Sequence, residues 1–374
     1  MMRDAPILAC ADWAALIAAV GQDPTYKALA QARPDTAAAV LAAPAAIARW
    51  IAIAAPHLAA KRQLKILVLG AESTDAVDQG RWYQVIPRLL HIDADVEVDL
   101  LGAELEANFS SSIAASAPQV PARVQRAALA DFFAGADAPR FDLAVMFQPG
   151  FQKHRGWLQP GGIARLLESG TLLMGASYAS DEFEMERFVL ECHGFAVDPS
   201  SLPNPFYLEL GDSQSSIRWG GELWQITAPP PHGFQRDDAR LLALDNLNRM
   251  VLHSMTAVGT PSPLCGAMTE LNTADGRRRV LLHVFDHRFV DPEDGVIYQL
   301  IDTELRQRGV LPMAELARYP HDASGHIARA IWAADIKSRF LLDGYAVRAT
   351  DSDGLDKARG MFDTLRARAA RLFR

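Results

Sequence analysis

The sequence predicts an α/β protein built on a doubly wound, mostly parallel β-sheet, with an N-terminal helical segment and a C-terminal α+β extension. Short apolar runs alternate with helical patterns through the middle of the chain, and the pattern changes on both sides of that region. Alternation of this kind produces right-handed βαβ crossovers and a parallel sheet. The 374 residues exceed one typical domain. We therefore expect three parts, at residues 1–62, 63–210 and 211–374.

The N-terminal segment is rich in alanine and carries apolar side chains at helical spacing, for example at Trp13, Leu16 and Ile17. Prolines interrupt it repeatedly. Because a proline inside a helix removes a backbone hydrogen bond, they predict several short helices rather than one long helix. The prolines are Pro24, Pro34, Pro44 and Pro56. We expect a small helical cap or docking arm.

Short apolar runs in the middle of the chain predict the strands of the parallel sheet. They are rich in Val, Ile and Leu, as expected for strands buried on both faces. The predicted strands are residues 64–70, 96–101, 141–147 and 171–174. Helical patterns separate them at residues 80–90, 121–133 and 162–168.

Beyond residue 204 the pattern changes to an α+β type. Apolar β-like runs predict strands at residues 206–210, 223–227 and 279–285. Amphipathic patterns predict helices at residues 236–258, 298–308 and 355–373. This region forms the predicted extension.

The net charge and the spacing of the cysteines indicate which partners and which cellular compartment to expect. The formal net charge of −8 leaves no dense Lys/Arg face to neutralise phosphates, so we expect no nucleic-acid partner. Cys10, Cys192 and Cys265 lie far apart, which offers neither a disulfide framework nor a cysteine zinc site. The first residues lack the pattern of a signal peptide, and the apolar segment at residues 50–60 is too short to span a bilayer. We expect a cytoplasmic protein without a membrane anchor.

The turn after the first predicted strand is the candidate cofactor site. Ligands of doubly wound sheets lie beyond the carboxyl ends of the central strands. This turn has one glycine, Gly70, where a dinucleotide fingerprint has three, so it does not predict a pyrophosphate site. S-adenosylmethionine lacks a pyrophosphate, and Gly70, Ala71 and Glu72 could shape its site. Asp99 or Glu104 could hold the ribose, although either is equally consistent with a solvated acid at a strand end.

The strand predicted at residues 141–147 ends in Phe147, Gln148, Pro149 and Gly150. Amino-methyltransferases of this topology carry a polar-Pro-Pro-aromatic loop here, and its polar residue accepts hydrogen bonds from the amine that is methylated. Gln148 is therefore the candidate catalytic residue, and Phe147 and Pro149 would help to line the cofactor. Gly150 replaces the second proline, and Pro-Gly is also an ordinary turn signal.

His283 and His287, with Asp286 and Asp291 nearby, form the most metal-like motif. On a strand the two histidines share a face but lie roughly 13 Å apart, because each residue advances the chain by about 3.3 Å. That distance is too long for one zinc ion, so we expect no metal site. No P-loop, nucleophile elbow, HExxH or Ser-His-Asp order occurs, which argues against hydrolases and nucleotidases.

Several segments, in order along the chain, resemble the C-terminal domain of the mitochondrial splicing suppressor-like, MYND-finger-associated proteins. The resemblance covers roughly residues 60–210, and its segments are residues 64–72, 80–87, 141–151, 178–182 and 203–206. It implies a methyltransferase-like Rossmann domain. That family typically carries an N-terminal Cys/His zinc finger, which this chain replaces with alanine-rich helices, so zinc binding is not implied here.

Two functions are consistent with these residues. The first is a methyltransferase that binds S-adenosylmethionine at the turn and orients a nucleophile with Gln148. The second is a non-catalytic or degenerate methyltransferase-fold protein that acts as an adaptor for a protein partner, with Trp82, Trp157 and the helical segment as contacts. The single-glycine turn and the thin catalytic inventory favour the adaptor.

Overall fold

The computed structural model describes residues 5–72, 74–103, 105, 110–132, 140–152, 154–159, 161–210, 217–242, 244–245, 266–273, 277–285, 288–301, 304–321 and 326–340. The chain divides into two compact units, the first comprising residues 1–235 with 361–374 and the second residues 236–360. The boundaries expected after residues 62 and 210 stay predictions.

The first unit is built on a mostly parallel sheet, which confirms the α/β class. Its parallel strands are β1 (Gln63–Leu69), β2 (Asp95–Leu101), β3 (Arg123–Gln125), β4 (Leu143–Phe147) and β5 (Leu172–Ser177). They pair in the order β3-β2-β1-β4-β5. The buried apolar side chains of β1 and β4 explain why these strands are central.

Shorter strands complete this unit. They are β6 (Ala196–Val197), β7 (Leu202–Pro203), β8 (Leu208–Leu210), β9 (Ile217–Trp219) and β10 (Glu222–Ala228). Strand β10 runs antiparallel to β5 on one side and to β6 and β7 on the other, whereas β8 and β9 form a separate antiparallel pair. The sheet therefore ends in an antiparallel insertion beside β5.

The N-terminal helices are α1 (Pro6–Ala9), α2 (Trp13–Val20), α3 (Lys27–Gln31) and α4 (Pro34–Ala54). The expectation of short pieces was wrong for α4, which continues through Pro44 for 21 residues. Pro44 does not break α4. Nearly all of the surface of this helix is buried in the core of the unit, and that packing offsets the lost hydrogen bond.

By length and composition α4 is the one helix of the described residues that could cross a membrane. However, 83% of its most apolar window is buried inside the protein. Its apolar side chains join Leu64, Ile66 and Val68 of β1 in one cluster. The helix is thus a core element rather than an exposed apolar rod, and the expected cap is part of the main core.

The remaining helices of this unit are α5 (Ile86–Leu90), α6 (Leu129–Phe132), α7 (Ala164–Glu168) and α8 (Ser180–Cys192). The helix predicted at residues 80–90 begins as a 3₁₀ helix, Val77–Val85, before α5. The helix predicted at residues 121–133 was wrong in its first half, where β3 lies. Arg123 and Val124 pair with Asp99 and Leu100 of β2, so sheet pairing outweighed the local helical pattern.

The second unit contains a purely antiparallel sheet. Its strands are β11 (Met268–Asn272), β12 (Arg278–Phe285), β13 (Arg288–Val290), β14 (Val296–Ile301) and β15 (Glu304–Val310), in that order. Helices α9 (Met313–Leu316) and α10 (His326–Phe340) follow. Trp332 and Ile336 of α10 pack on one face of the sheet, against Leu282 and Val284.

The helix predicted at residues 298–308 was wrong, because this segment forms the β14–β15 hairpin. Tyr298 packs with Leu281 and Phe289 in a cluster on the sheet, a contact that no sequence window includes. The helix predicted at residues 236–258 is helical at residues 238–242 and 244–245 but not at residues 236–237, and the rest of the predicted segment lies outside the described residues. The helix predicted at residues 355–373 lies wholly outside them.

Candidate functional site

The predicted cofactor turn lies at the carboxyl end of β1. Gly70 adopts a left-handed conformation with φ of 66°, which glycine reaches without strain. The next two amides are both engaged within the protein: Ala71 N donates to the Leu101 carbonyl at 2.9 Å, and Glu72 N donates to Asp75 Oδ2 at 2.8 Å. Both amides that a cofactor would need at this turn are therefore already hydrogen-bonded to acceptors within the protein.

The chain after β1 also packs very tightly on the chain after β2. A Cβ atom added to Gly102 would lie only 2.1 Å from the carbonyl oxygen of Ala71. The Gly102 amide donates to Gln125 O at 3.2 Å, which ties β2 to β3 at the same level. Backbone thus fills the crevice between β1 and β2 just beyond their ends.

Trp157 lies beside the same turn. A Cβ atom added to Gly70 would lie 2.6 Å from Cη2 of the indole, although Gly70 remains exposed on its other side. Trp157 is half-buried in a 3₁₀ helix, Arg155–Leu158. It occupies the side-chain face of the turn.

Asp99, the first ribose candidate, is 5% exposed and bound to its neighbours. Its Oδ2 accepts hydrogen bonds from Arg123 at 3.2 Å and from Gln125 at 3.1 Å. It is paired with Leu67 in the sheet, two residues before the end of β1. The structure therefore does not bring Asp99 to the turn, and Glu104 lies outside the described residues.

The loop after β4 lies next to the turn, since β1 and β4 are neighbours with Leu69 opposite Met146. Gln148 has a positive φ of 45°, uncommon for a residue other than glycine and often associated with function. Its backbone N donates to Ala176 O at 2.8 Å, whereas its buried Nε2 has no hydrogen-bond partner among the described residues. Pro149 is buried behind it.

Glu186 of α8 supports the loop after β4 through a hydrogen bond. It is 1% exposed, and its Oε2 accepts a hydrogen bond from the Phe151 amide at 2.9 Å. Burial raises the pKa of the Glu186 carboxyl to about 8, against the opposing effect of the amides of Phe151 and Gly150. Its Oε1 has no hydrogen-bond partner in the described part of the chain. Glu186 was not predicted as a site residue, because the helical pattern around it gives no sign of its burial.

A pocket opens beside the turn, between α4, the loop that follows Ala71, and the β8–β9 pair. Its cavity volume is about 40 Å³, enough for water-sized molecules. Small side chains of α4, including Ala39 and Ala43, form one wall. Trp82 and Trp219 contribute aromatic surface, and Trp219 stacks on Phe147 with ring centres 4.6 Å apart. Phe147, a predicted cofactor contact, thus supports the pocket wall.

Asp75 and Tyr83 are polar groups in this otherwise mainly apolar lining, together with Thr74. Burial raises the pKa of the Asp75 carboxyl to about 7, and the nearby Glu72 carboxylate adds to the shift. Tyr83 is 2% exposed, and its Oη has no hydrogen-bond partner among the residues the structure describes. Burial and the Asp75 charge both raise the pKa of Tyr83. These two residues carried no sequence motif and were not predicted.

An unusual backbone segment positions Tyr83. Asp78, Gln79 and Gly80 are three consecutive residues with positive φ. Asp78 is buried and accepts hydrogen bonds from Trp82 Nε1 at 2.6 Å and from Ser111 N at 2.8 Å. These bonds fix the start of the helix that carries Tyr83. Trp82 is therefore a core residue and does not serve as the expected surface anchor.

In the second unit, the described residues of the histidine motif do not form a metal site. His283 is 3% exposed and packs against Phe289 with ring centres 5.1 Å apart. Asp291 is bound to Arg279 at 2.5 Å. Asp286 and His287 lie outside the described residues, and within the described ones no group of three metal-binding side chains is found.

Comparison of the chain with protein-family models, with curated protein sequences and with solved structures finds no significant match.

Proposed function

We propose that this chain is a methyltransferase-type Rossmann protein that has lost the cofactor reaction and acts as a protein-binding adaptor. The strand order supports the fold, since β10 enters antiparallel between β5 and β6 as in methyltransferase-type sheets. Rossmann-like sheets host many functions, so the function has to be argued from the site.

The loss of the cofactor reaction rests on one observation: the polar groups predicted to hold S-adenosylmethionine are already engaged. The amides of Ala71 and Glu72 bond to Leu101 and Asp75, and Asp99 bonds to Arg123. Each internal bond that a cofactor replaced would cost about 1 kcal/mol before any gain from the new contact. This arrangement favours a structural turn over a binding turn.

The protein-binding role draws support from an apolar surface of the second unit. Met313 is 74% exposed and lines an open groove with Leu316 and Tyr319. Met268, 38% exposed, extends this surface, since Tyr319 Oη lies 3.7 Å from its sulfur atom. Flexible methionines and a tyrosine are residue types suited to protein contacts. We call these four residues the methionine surface.

Calorimetric titration of the full chain with S-adenosylmethionine and its demethylated product tests the loss of the cofactor reaction. We expect no saturable binding at about 1 mM ligand, which corresponds to a binding free energy weaker than about −4 kcal/mol. Circular dichroism of the same sample establishes that it is folded. Micromolar binding that a Gly70→Trp variant loses would refute the proposal.

A second experiment tests the adaptor role. Partners are captured by cross-linking in cells, and the leading candidate is purified and mixed with the purified chain. We expect a stoichiometric complex that Met313→Asp weakens at least about tenfold, because a charge would enter an apolar contact. Val120→Asp is the matched control, since Val120 is 57% exposed in the first unit. Absence of any complex from purified components would contradict the adaptor role.

A second candidate function is amine methylation. The positive φ of Gln148 and its position after β4 favour this alternative, since unusual backbone conformations cluster at active sites. It predicts the micromolar cofactor binding that the adaptor proposal excludes. The same titration therefore separates the two functions.

We also propose that the protein works in a reducing cytoplasm. Cys10 is a free, buried thiol, as is usual where disulfides do not form. Thiols of the protein are labelled in lysate with and without prior reduction. We expect the same number of labelled thiols in both samples.

A further inference from the structure

We propose that the groove of the methionine surface binds a segment of a partner protein in which an arginine or lysine stands beside a bulky apolar side chain, with Glu293 pairing the cation. This inference rests on the proposed adaptor function and names the chemistry of the partner that the adaptor would recognise.

The first argument is the size of the groove. It lies between the turn that joins β13 to β14, at Pro292 and Glu293, and the helix α9 with the residues that follow it. Its cavity volume is about 340 Å³, whereas a water molecule takes about 30 Å³ of liquid volume. This volume lies within the range typical of ligand sites. The groove is thus large enough for side chains of a partner, unlike the pocket beside α4 at about 40 Å³.

The second argument is the apolar wall. Met313 and Tyr319 both line the groove, and Met313 is 74% exposed. The Tyr319 ring is held by edge contacts, with ring centres 5.3 Å from Trp332 and 4.9 Å from His321. A ring that is already fixed loses little conformational freedom on binding, and an exposed methionine adapts its shape to the side chain that it meets. The wall therefore favours a bulky apolar side chain of the partner.

The third argument is a carboxylate that the protein does not pair. The turn between β13 and β14 carries three acids, and two of them, Asp291 and Asp294, bind Arg279 at 2.5 Å and 2.6 Å. Glu293 lies between them in sequence, is exposed and lines the groove. It has no ion-pair partner among the described residues. One negative charge of this turn is therefore uncommitted in the lining of the groove.

The fourth argument is the absence of a matching cation. No lysine or arginine is among the residues that line the groove in the described part of the chain. Arg318, which follows α9, is bound to Glu315 at 2.9 Å and to Asp335 at 3.1 Å. An acidic partner segment would therefore meet Glu293 and no uncommitted guanidinium or ammonium group. A basic segment gains a charge-assisted hydrogen bond to Glu293, and the aliphatic stem of its arginine or lysine lies on the apolar wall.

The test uses three capped peptides of the form Gly-Leu-X-Leu-Gly, with arginine, glutamine or glutamate at X. The full chain carries a carbon-13 label on its methionine methyl groups, and the signal of Met313 is assigned with Met313→Leu. Titrations are made at low salt, where exposed charge pairs are strongest, and at about pH 7.5, where ordinary histidines are mostly neutral. We expect a saturable shift of the Met313 signal, with a dissociation constant on the order of 1 mM for the arginine peptide. The glutamine peptide should bind about threefold more weakly and the glutamate peptide about tenfold more weakly.

Variants of Glu293 locate the cation. Glu293→Lys should reverse the order, so that the glutamate peptide binds more tightly than the arginine peptide. Glu168→Lys makes the same change of net charge at an exposed residue of the first unit, and it should keep the wild-type order. If Glu293→Lys fails to fold, Glu293→Gln decides, because it should bring the arginine and glutamine peptides to equal affinity.

Three results would overturn the proposal. One is the absence of a saturable Met313 shift at about 10 mM arginine peptide. Another is equal binding of the arginine and glutamate peptides, or a preference that the Glu293 variants leave unchanged. The third is a dimer of the full chain, observed by analytical ultracentrifugation, that Met313→Asp dissociates, because a second copy would then occupy the groove.

The purified complex described above separates this inference from the adaptor role. A complex that Met313→Asp weakens and Glu293→Lys leaves unchanged would overturn the basic segment and leave the adaptor role standing. Absence of any complex would remove the adaptor role, whereas the peptide series would still decide which charge the groove prefers.

Discussion

The turn after β1 and the pocket beside α4 share the segment that follows β1, but their polar groups differ in whether the protein itself satisfies them. In the turn, the amides of Ala71 and Glu72 are both hydrogen-bonded within the protein. In the pocket, the hydroxyl of Tyr83 is buried without a partner in the described residues. A position at the carboxyl edge of a sheet is therefore not enough to identify a binding site. Polar groups that remain uncommitted are the better guide.

The largest expected effect comes from breaking the closed turn. Gly102→Ala would place a Cβ atom 2.1 Å from the Ala71 carbonyl oxygen, so backbone has to move. We expect the free energy of unfolding to fall by about 3 kcal/mol, measured by urea denaturation. Gly156→Ala is the matched control, because a Cβ atom there meets nothing within 4 Å. Equal stability of the two variants would show that the turn is not closed.

The next effect concerns the loop after β4 and depends on pH. The Glu186 carboxyl has its pKa raised from 4.5 to about 8, so the folded state keeps a proton that the unfolded state releases. This stabilisation is fully present below about pH 4.5 and is lost as the pH rises towards 8. Glu186→Gln should remove this loss, and its unfolding free energy should exceed that of the wild type at pH 8 by an amount on the order of 3 kcal/mol.

Denaturation curves between pH 4 and 9 measure this difference. The amide oxygen of the new glutamine can still accept from Phe151 N, so the loop keeps its support. Glu168→Gln, at an exposed residue, serves as the control and should follow the wild-type profile. A Glu186→Gln profile parallel to that of the wild type would contradict the buried, protonated carboxyl.

The smallest expected effect concerns the hydroxyl group of Tyr83 in the pocket. Tyr83→Phe removes a buried hydroxyl without a protein partner, so we expect the free energy of unfolding to rise by about 1 kcal/mol. Tyr26→Phe is the same change at a hydroxyl that donates to Gln84 O at 2.7 Å, and it should cost about 1 kcal/mol. Thermal and urea unfolding compare the pair. A larger loss for Tyr83→Phe would mean that its hydroxyl is satisfied after all.

Local sequence patterns predicted the central strands well, because strands buried on both faces are continuous apolar runs. Strands β1, β2, β4 and β5 lie where these runs predicted them. The patterns failed where long-range contacts decide the structure. Burial carries α4 past Pro44, pairing with β2 makes a strand of β3, and cluster formation on the sheet makes β14 a strand.

The candidate site could be predicted only in part. Gly70 and Gln148 follow strands, so the sequence was enough to bring them to one edge of the sheet. Asp75, Tyr83 and Glu186 owe their properties to burial under elements distant in sequence. Their raised pKa values follow from that burial and from neighbouring charges, which no local motif encodes.

The central claim is that the turn after β1 is closed to S-adenosylmethionine, and one measurement tests it directly. The indole N–H signals of the protein are recorded by nuclear magnetic resonance and assigned with Trp82→Phe, Trp157→Phe and Trp219→Phe. S-adenosylmethionine should shift none of the three. A saturable shift of the Trp157 signal by S-adenosylmethionine would contradict the account.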